Sequence, residues 1–228
     1  MASTHFLVCL HPKLANYLET NARAAMTSLR KGYDRHEITS GRYTQHFLLR
    51  DPQTHTDPRV IQEDGTDAGR CAGGPIGLLD LTAMREHAAV KAAEVYDAWA
   101  VATADMPPAR PWAQYVEDSG DSFRNLQSFR AQPQVKIMAS IMGPRQAQRS
   151  EEAALVALDR DAFIARARLR AVPGDRLRTV DKKWTVDPAF LNDDDAIETG
   201  STAYYQHVND YLDQLPPDYL LVGGDGHR

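Results

Sequence analysis

The residues of this chain that could do chemistry include eight histidines and two cysteines. His5 and Cys9 are four residues apart in an apolar run typical of a β-strand, so both side chains would lie on one face. With His11 or His46 they could form one corner of a metal site. A buried cysteine and a histidine at a strand end are the commoner arrangement, and no H-x-x-x-H, H-E-x-x-H or C-x-x-C spacing occurs. We therefore predict no metal site.

One acidic segment and one Asp–His pair could also take part in binding or catalysis. Residues 193–195 are three consecutive aspartates with Glu198 nearby, a group that could ligate a divalent cation. The spacing is not that of an EF-hand, and we expect a solvated acidic turn. Asp225 and His227 could form a catalytic pair, but no serine or cysteine nucleophile lies in an elbow motif. The sequence therefore predicts no enzymatic activity and no cofactor.

Two further segments resemble nucleic-acid or phosphate sites only in part. Residues 73–77 are glycine-rich and precede a helix, where a phosphate can bind. No Walker lysine follows, and Asp80 would repel an anion, so we expect a turn. Residues 151–170 come closest to a DNA-reading helix pair, with arginines in the second half. We prefer a helix with a solvated basic face.

Length and charge narrow the class of protein. The chain has 228 residues, of which 43% are hydrophobic and 25% charged, enough apolar content for a substantial core. The formal net charge of −5 argues against a protein whose main function is to bind the phosphate backbone of nucleic acids, because lysine and arginine drive such binding. No signal peptide is apparent, and no window approaches the roughly 20 apolar residues of a membrane span.

The segment that predicts structure most clearly is a long helix within residues 77–111. Asp80 is a good N-cap, and Pro107 and Pro108 would end the helix. Apolar residues recur between these limits at steps of three and four. They are Met84, Ala88, Ala92, Val95, Trp99 and Ala102.

The remaining elements predict an α+β fold. We predict strands at residues 5–10, 43–49 and 219–222, a hairpin over 176–186, and a long loop at about 51–75. Further helices are predicted at 13–29, 134–142, 151–158, 161–170 and 201–215, the last of them capped by Ser201. We expect one α+β domain over residues 1–228. Its small mixed sheet would join N-terminal, central and C-terminal strands, with the long helix packed on it through Met84, Val95 and Trp99. A helical insertion would occupy about 80–170.

An aromatic segment from residue 112 to residue 129 has two interpretations. Its large side chains either complete the core or anchor a partner, because interface hot spots favour Trp, Tyr and Arg. They follow no clear helix or strand period that would explain them as core. We choose this segment as the predicted partner-binding surface, formed by Trp112, Tyr115, Phe123, Arg124 and Phe129.

Several sequence blocks, taken together in order, resemble a family of early proteins of temperate phages of Streptomyces and related actinobacteria. The blocks are Tyr33-Asp34 with Gly41-Arg42-Tyr43, Leu79-Asp80-Leu81 through Tyr96-Asp97-Ala98-Trp99, Pro111-Trp112, residues 163–168 with Val172-Pro173-Gly174, and Val208-Asn209 with Tyr211-Leu212-Asp213. The chain departs from the family pattern at Ser40, where a glycine is expected, at Tyr43, where a tryptophan is expected, and at Gly226, where a cysteine is expected.

One branch of this family consists of recombination directionality factors. The resemblance implies a non-enzymatic protein of the host cytoplasm that binds a large serine integrase, through the coiled-coil region of that enzyme. It would switch the integrase from attP × attB integration to attL × attR excision and would reach DNA only through the integrase. Two rival hypotheses are a phage counter-defence protein that sequesters a nucleotide signal and a small hydrolase that uses His227 or the acidic segment.

Overall fold

The chain folds into two compact units in a computed structural model. The structure describes residues 3–28, 35–38, 47–62, 69–118, 122–142, 149–172, 174–188 and 197–227. The first unit comprises Met1–Arg85 and Leu169–Arg228, and the second is Glu86–Arg168. We call them the sheet unit and the helical unit.

The helices and strands follow in chain order. The strands are β1 (Ser3–Leu10), β2 (Arg35–Ile38), β3 (Phe47–Leu48), β4 (Arg70–Cys71), β5 (Gly73–Pro75), β6 (Arg176–Arg178), β7 (Trp184–Val186) and β8 (Leu220–His227). The α-helices are α1 (Leu18–Thr27), α2 (Leu81–Thr103), α3 (Trp112–Asp118), α4 (Ser122–Ala131), α5 (Pro133–Met142), α6 (Arg149–Ala157), α7 (Arg160–Leu169) and α8 (Ile197–Gln214). Short 3-10 helices cover Pro12–Tyr17, Pro52–Thr56 and Ile76–Leu78.

The sheet unit is built on a six-stranded mixed sheet in the order β2-β8-β1-β6-β7, with β5 also paired to β8. The predicted α+β class, with N-terminal, central and C-terminal strands in one sheet, is therefore confirmed. β1 and β8 are antiparallel along their whole length, whereas β1 and β6 are parallel. β6 and β7 form the predicted hairpin, in which Lys182 adopts a φ of 67° at the turn. No helix in the described ranges is both long enough and apolar enough to cross a bilayer.

The two faces of this sheet bury different helices, because successive side chains of a strand point to opposite faces. On one face, Phe6, Val8 and Val222 form a cluster with Leu18 and Met26 of α1. On the other face the cluster joins side chains of β1, β6 and β8 to α8. Its members include Leu7, Cys9, Leu177, Leu221, Tyr204, Tyr205, Val208 and Leu212. The predicted apolar stripe of the last helix is thus its core face.

Three predictions about the sheet unit are wrong. Phe47–Leu48 of the predicted strand 43–49 pairs with β4 in a separate two-stranded sheet, and residues 41–46 lie outside the described ranges. The predicted turn at 73–77 begins instead as β5, whose ladder with β8 satisfies its backbone. Ser201 does not cap α8, because this helix already begins at Ile197 and the Ser201 hydroxyl is bonded to Asp187.

The long helix is capped as predicted but packs differently. The Asp80 carboxylate accepts the Ala83 N–H at 2.9 Å, and Met84 lies in the cluster beneath the sheet. Val95 and Trp99, however, pack in the core of the helical unit, so their predicted contact with the sheet is wrong. The helix ends at Thr103, before Pro107.

The helical unit encloses a core of its own. Its buried members come from α2, α4, α5, α6 and α7 and are Ala92, Phe129, Val135, Met138, Ala154, Leu155 and Phe163. The Trp99 indole N–H donates to the Gln134 carbonyl at 3.1 Å, which joins α2 to α5. The start of α7 is fixed by Asp159, whose carboxylate accepts the Ala162 N–H at 2.8 Å.

Candidate functional site

Five titratable residues stand side by side across the sheet, three of them in strands and two directly beside the ends of β6 and β7. We call them the polar row, and they are Glu37, Asp225, His5, Asp175 and Asp187. Asp225 of β8 lies opposite both Glu37 of β2 and His5 of β1. The Asp175 N–H donates to the His5 carbonyl and the Asp187 N–H to the Asp175 carbonyl, each at 2.9 Å. The row therefore follows from strand register and not from a local sequence motif.

His5 and Asp225 form the closest pair in the row. The His5 Nδ1 lies 2.6 Å from the Asp225 Oδ1, and the two side chains are 32% and 6% exposed. A carboxylate only accepts, so Nδ1 carries the proton and Nε2 is left for another partner. The hydrogen bond to Asp225 raises the pKa of His5, burial opposes this rise, and the charges of Asp175 and Asp225 add to it.

At the other end of the polar row, side chains of α8 donate hydrogen bonds to Asp187 and to the backbone beside Asp175. The Asp175 Oδ2 accepts the His5 N–H at 2.8 Å, and the Ser201 hydroxyl donates to the Asp187 Oδ1 at 2.5 Å. The Tyr204 hydroxyl donates to the neighbouring Gly174 carbonyl at 3.0 Å. Burial raises the pKa of Asp175, the His5 N–H lowers it, and the nearby charge of Asp187 raises it again. Of the side chains of His5, Asp175 and Asp187, that of His5 is the most exposed to solvent.

The chemistry open to this arrangement is proton transfer by an oriented imidazole. A histidine held through Nδ1 by a buried carboxylate presents its second nitrogen as a general acid or base. The same pair also joins the first and last strands, so its protonation contributes to the stability of the sheet.

We expect the stability of the protein to depend on pH through His5. Because the pKa of His5 is raised above its ordinary 6.5, its stabilising contribution is complete below about pH 6.5 and is lost as pH rises through the folded-state pKa. Asp225→Asn removes the carboxylate charge and should lower the pKa of His5. NMR titration of the His5 ring and urea unfolding between pH 5 and pH 9 measure the two effects.

Asp218→Asn is the matched control, because Asp218 is exposed in the same unit and outside the polar row. This variant should leave the His5 titration unchanged. An Asp225→Asn variant in which His5 titrates as in the parent protein would contradict the assigned hydrogen bond.

The candidate metal and phosphate motifs that lie within the described residues are engaged in other contacts. Cys9 is fully buried in the apolar cluster, where burial raises the pKa of its thiol, and His5 is engaged by Asp225. Within the described residues, no group of three His, Cys, Asp or Glu side chains could hold a metal ion. Residues 193–195, and His46, lie outside those residues. His227 ends β8, and its side chain is not among those described.

The predicted partner-binding segment is largely part of the helical core. Phe129 is completely buried, and the rings of Trp112 and Tyr115 pack edge-on against it at centroid distances of 5.5 and 5.8 Å. Arg124 is exposed on α4, and Phe123 lies in the same helix with its side chain outside the described residues. Phe129 is therefore enclosed within the folded unit, and a partner contact by this segment stays a prediction.

Asp175 and Asp187 were not singled out from the sequence. The hairpin pattern over 176–186 places these two residues just outside its two strands, so their proximity was available as a signal. Their proximity to His5 depends on the parallel pairing of β1 with β6, which joins segments about 170 residues apart.

Comparison with protein family models, with curated proteins and with solved structures finds no match for this chain.

Proposed function

We propose that this chain is a recombination directionality factor. It binds a large serine integrase in the host cytoplasm and switches that enzyme from attP × attB integration to attL × attR excision. The chain itself carries out no step of strand exchange, which belongs to the integrase serine.

The sequence blocks behind the resemblance support this proposal, because they are distributed over both units. Leu79 to Trp99 covers most of α2, residues 163–168 lie in α7, and residues 208–213 lie in α8.

One structural observation carries the proposal of a protein partner. Val90 and Val101 of α2 are 58% and 80% exposed, although both lie in a well-packed helical unit. A partner that covers both side chains would remove their apolar surface from water, which is favourable. A protein that acts by binding another protein needs such a surface and needs no catalytic cleft.

The mechanism is a population shift in the integrase. An integrase bound to its attachment sites can hold its coiled-coil arms in more than one arrangement, and a partner that prefers one arrangement shifts the equilibrium by its differential affinity. A shift from 1:99 to 99:1 needs a difference of about 10⁴-fold in affinity. A protein with a net charge of −5 has little electrostatic driving force for binding free DNA. Such binding depends on basic side chains that neutralise phosphates and so release counterions from the DNA.

The test is a recombination assay with the cognate integrase and increasing amounts of this protein. We expect attL × attR excision to be stimulated and attP × attB joining to be inhibited over the same concentration range. A gel-shift experiment with the protein alone should show weak binding or none to each attachment site.

The control is the same assay with a chain unfolded by prior heating, which should have neither effect. Absence of both effects with folded protein and an integrase that is active on attP × attB would reject the proposal.

A second candidate function, acid–base hydrolysis, is favoured by the His5–Asp225 pair. His5→Gln distinguishes the two, since it removes the imidazole and leaves the helical unit unchanged. Directionality control predicts that the folded variant still stimulates excision. Hydrolysis predicts turnover of p-nitrophenyl esters or phosphates by the parent protein that His5→Gln abolishes, and no turnover by either protein would reject it.

A further inference from the structure

Strands β6 and β7 carry two arginines and a tryptophan on the side of the sheet where β1 buries Phe6 and Val8. Arg176 and Arg178 of β6 lie opposite these two residues in the parallel ladder. Residues opposite each other in a ladder share one side of the sheet, so both arginines belong to that side. Trp184 of β7 lies opposite Arg178 in the hairpin and belongs to it as well. We call Arg176, Arg178 and Trp184 the hairpin patch.

Arg178 lacks the counter-charge that other arginines of this protein have. Five described arginines each contact a carboxylate oxygen at 2.7–3.0 Å, and they are Arg23, Arg59, Arg85, Arg160 and Arg168. Arg178 forms no such pair with a described residue, and its Nε is enclosed without a hydrogen-bond partner among them. Burial lowers the pKa of Arg178, and no described carboxylate opposes this effect. A partly buried charge without a partner is unfavourable, so a bound anion would stabilise it.

The strands around Arg178 contribute positive charge and no negative charge on this side. Besides the hairpin patch, the side chains of β1, β6 and β7 on this side include no Asp or Glu, and they are Thr4, Phe6, Val8, Leu10 and Val186. At the hairpin turn, Asp181 pairs with Lys183 at 2.8 Å, so these two charges cancel. The carboxylates of the polar row lie on the opposite side, with α8. The hairpin patch therefore carries two positive charges on a surface to which these strands add no carboxylate.

The hairpin patch has the chemistry of a phosphate site. A guanidinium stays charged in proteins, and its planar fork of N–H groups matches two oxygens of a phosphate. Two guanidinium groups also match the charge of a phosphate monoester, about −1.5 to −2 at pH 7, better than that of a singly charged carboxylate or phosphodiester. All three side chains of the patch are partly exposed, so a ligand can reach them from solvent.

Trp184 offers a fixed aromatic surface beside this charge. Its ring packs edge-on against Phe6, with the ring centroids 5.8 Å apart and the ring planes at 77°. Side chains opposite each other in an antiparallel pair have Cβ atoms about 4.5–5.5 Å apart, so the pairing of Trp184 with Arg178 places the indole next to the guanidinium. A planar group that carries the phosphate can pack against the exposed part of this ring.

We propose that the hairpin patch binds a dianionic phosphate group, either inorganic phosphate or the phosphate of a nucleoside monophosphate. Arg178 donates hydrogen bonds to the phosphate oxygens, Arg176 adds its positive charge, and Trp184 contacts the base when one is present. This inference goes beyond the proposed function and does not depend on it, because the phosphate binds to the chain without the integrase.

The test titrates the protein with inorganic phosphate and with adenosine monophosphate at constant ionic strength, and follows the Trp184 indole N–H by NMR. We expect a saturable shift of this signal with both ligands and none with adenosine, which lacks the phosphate. Tighter binding of adenosine monophosphate would support a nucleotide as the ligand, and equal binding would support phosphate itself. No saturable shift with either phosphate, or the same shift with adenosine, would overturn the proposal.

Arg178→Met removes the guanidinium and keeps a long unbranched side chain. Because the Arg178 Nε makes no hydrogen bond to a described residue and the charge is unpaired, the variant should melt at or above the temperature of the parent. We expect its dissociation constant for phosphate to rise at least about tenfold, the effect of losing a charge-assisted hydrogen bond. Equal binding of phosphate by this variant and the parent would reject the site and leave the proposed function intact.

Arg23→Met is the matched control, because it removes the same charge from the exposed surface of α1 in the same unit. It should bind phosphate within about twofold of the parent, since salt screens exposed charges outside the site. Arg178→Lys is a second variant that keeps the charge and loses the planar fork, and it should bind phosphate more weakly than the parent. Unchanged binding by Arg178→Lys would contradict the guanidinium contact.

Discussion

Phe129→Ala is expected to lower the free energy of unfolding of the helical unit by about 3–5 kcal/mol. Phe129 is completely buried, and the rings of Trp112 and Tyr115 lie edge-on to it at centroid distances of 5.5 and 5.8 Å. Replacement by alanine creates a cavity, and the rings of Trp112 and Tyr115 can fill it only if they move from their present positions. Urea unfolding followed by tryptophan fluorescence measures the loss, since Trp99 and Trp112 report on this unit.

Arg124→Ala is the matched control, because Arg124 lies in the same helix with its side chain exposed. An exposed arginine, together with any surface contact that it makes, usually contributes about 1 kcal/mol or less to stability. Both residues were predicted to contact a partner, so the pair separates folding from binding. If Phe129→Ala were as stable as the parent and lost only integrase binding, the aromatic segment would be a contact surface after all.

Gly73→Ala is expected to destabilise the sheet unit by about 1–3 kcal/mol or more. A Cβ at Gly73 would lie 2.5 Å from the Leu221 carbonyl oxygen and 2.8 Å from the Val222 Cα. Both are backbone atoms of β8, which is held on either side by β1 and β2 and so cannot move aside cheaply. Chemical denaturation followed by circular dichroism would measure the change.

Gly69→Ala serves as the control for this change, because a Cβ there meets no atom within 4 Å. Its expected effect is neutral or slightly stabilising, by up to about 1 kcal/mol, since alanine restricts the unfolded chain more than glycine does. Equal stability of the two variants would show that the Gly73 backbone does not lie this close to β8.

The sequence alone determined the elements whose causes are local. Asp80 caps α2 because its carboxylate reaches an N–H three residues along the chain. The hairpin formed by β6 and β7 closes through a turn in which the Thr179 N–H donates to the Lys183 carbonyl. The apolar stripe of α8 follows from helical periodicity. Each of these depends on residues within a few positions of one another, so residue type and spacing suffice to predict it.

Only the tertiary structure decided which segments lie side by side. The polar row requires β1 to pair with both β8 and β6, and residues 5, 225 and 175 carry no common local pattern. The burial of Phe129 and the exposure of Val101 were likewise not readable from the sequence, because both residues lie in helices with apolar neighbours. Pairing and burial depend on contacts between distant parts of the chain, and many alternative arrangements satisfy the same local preferences until the whole fold selects one.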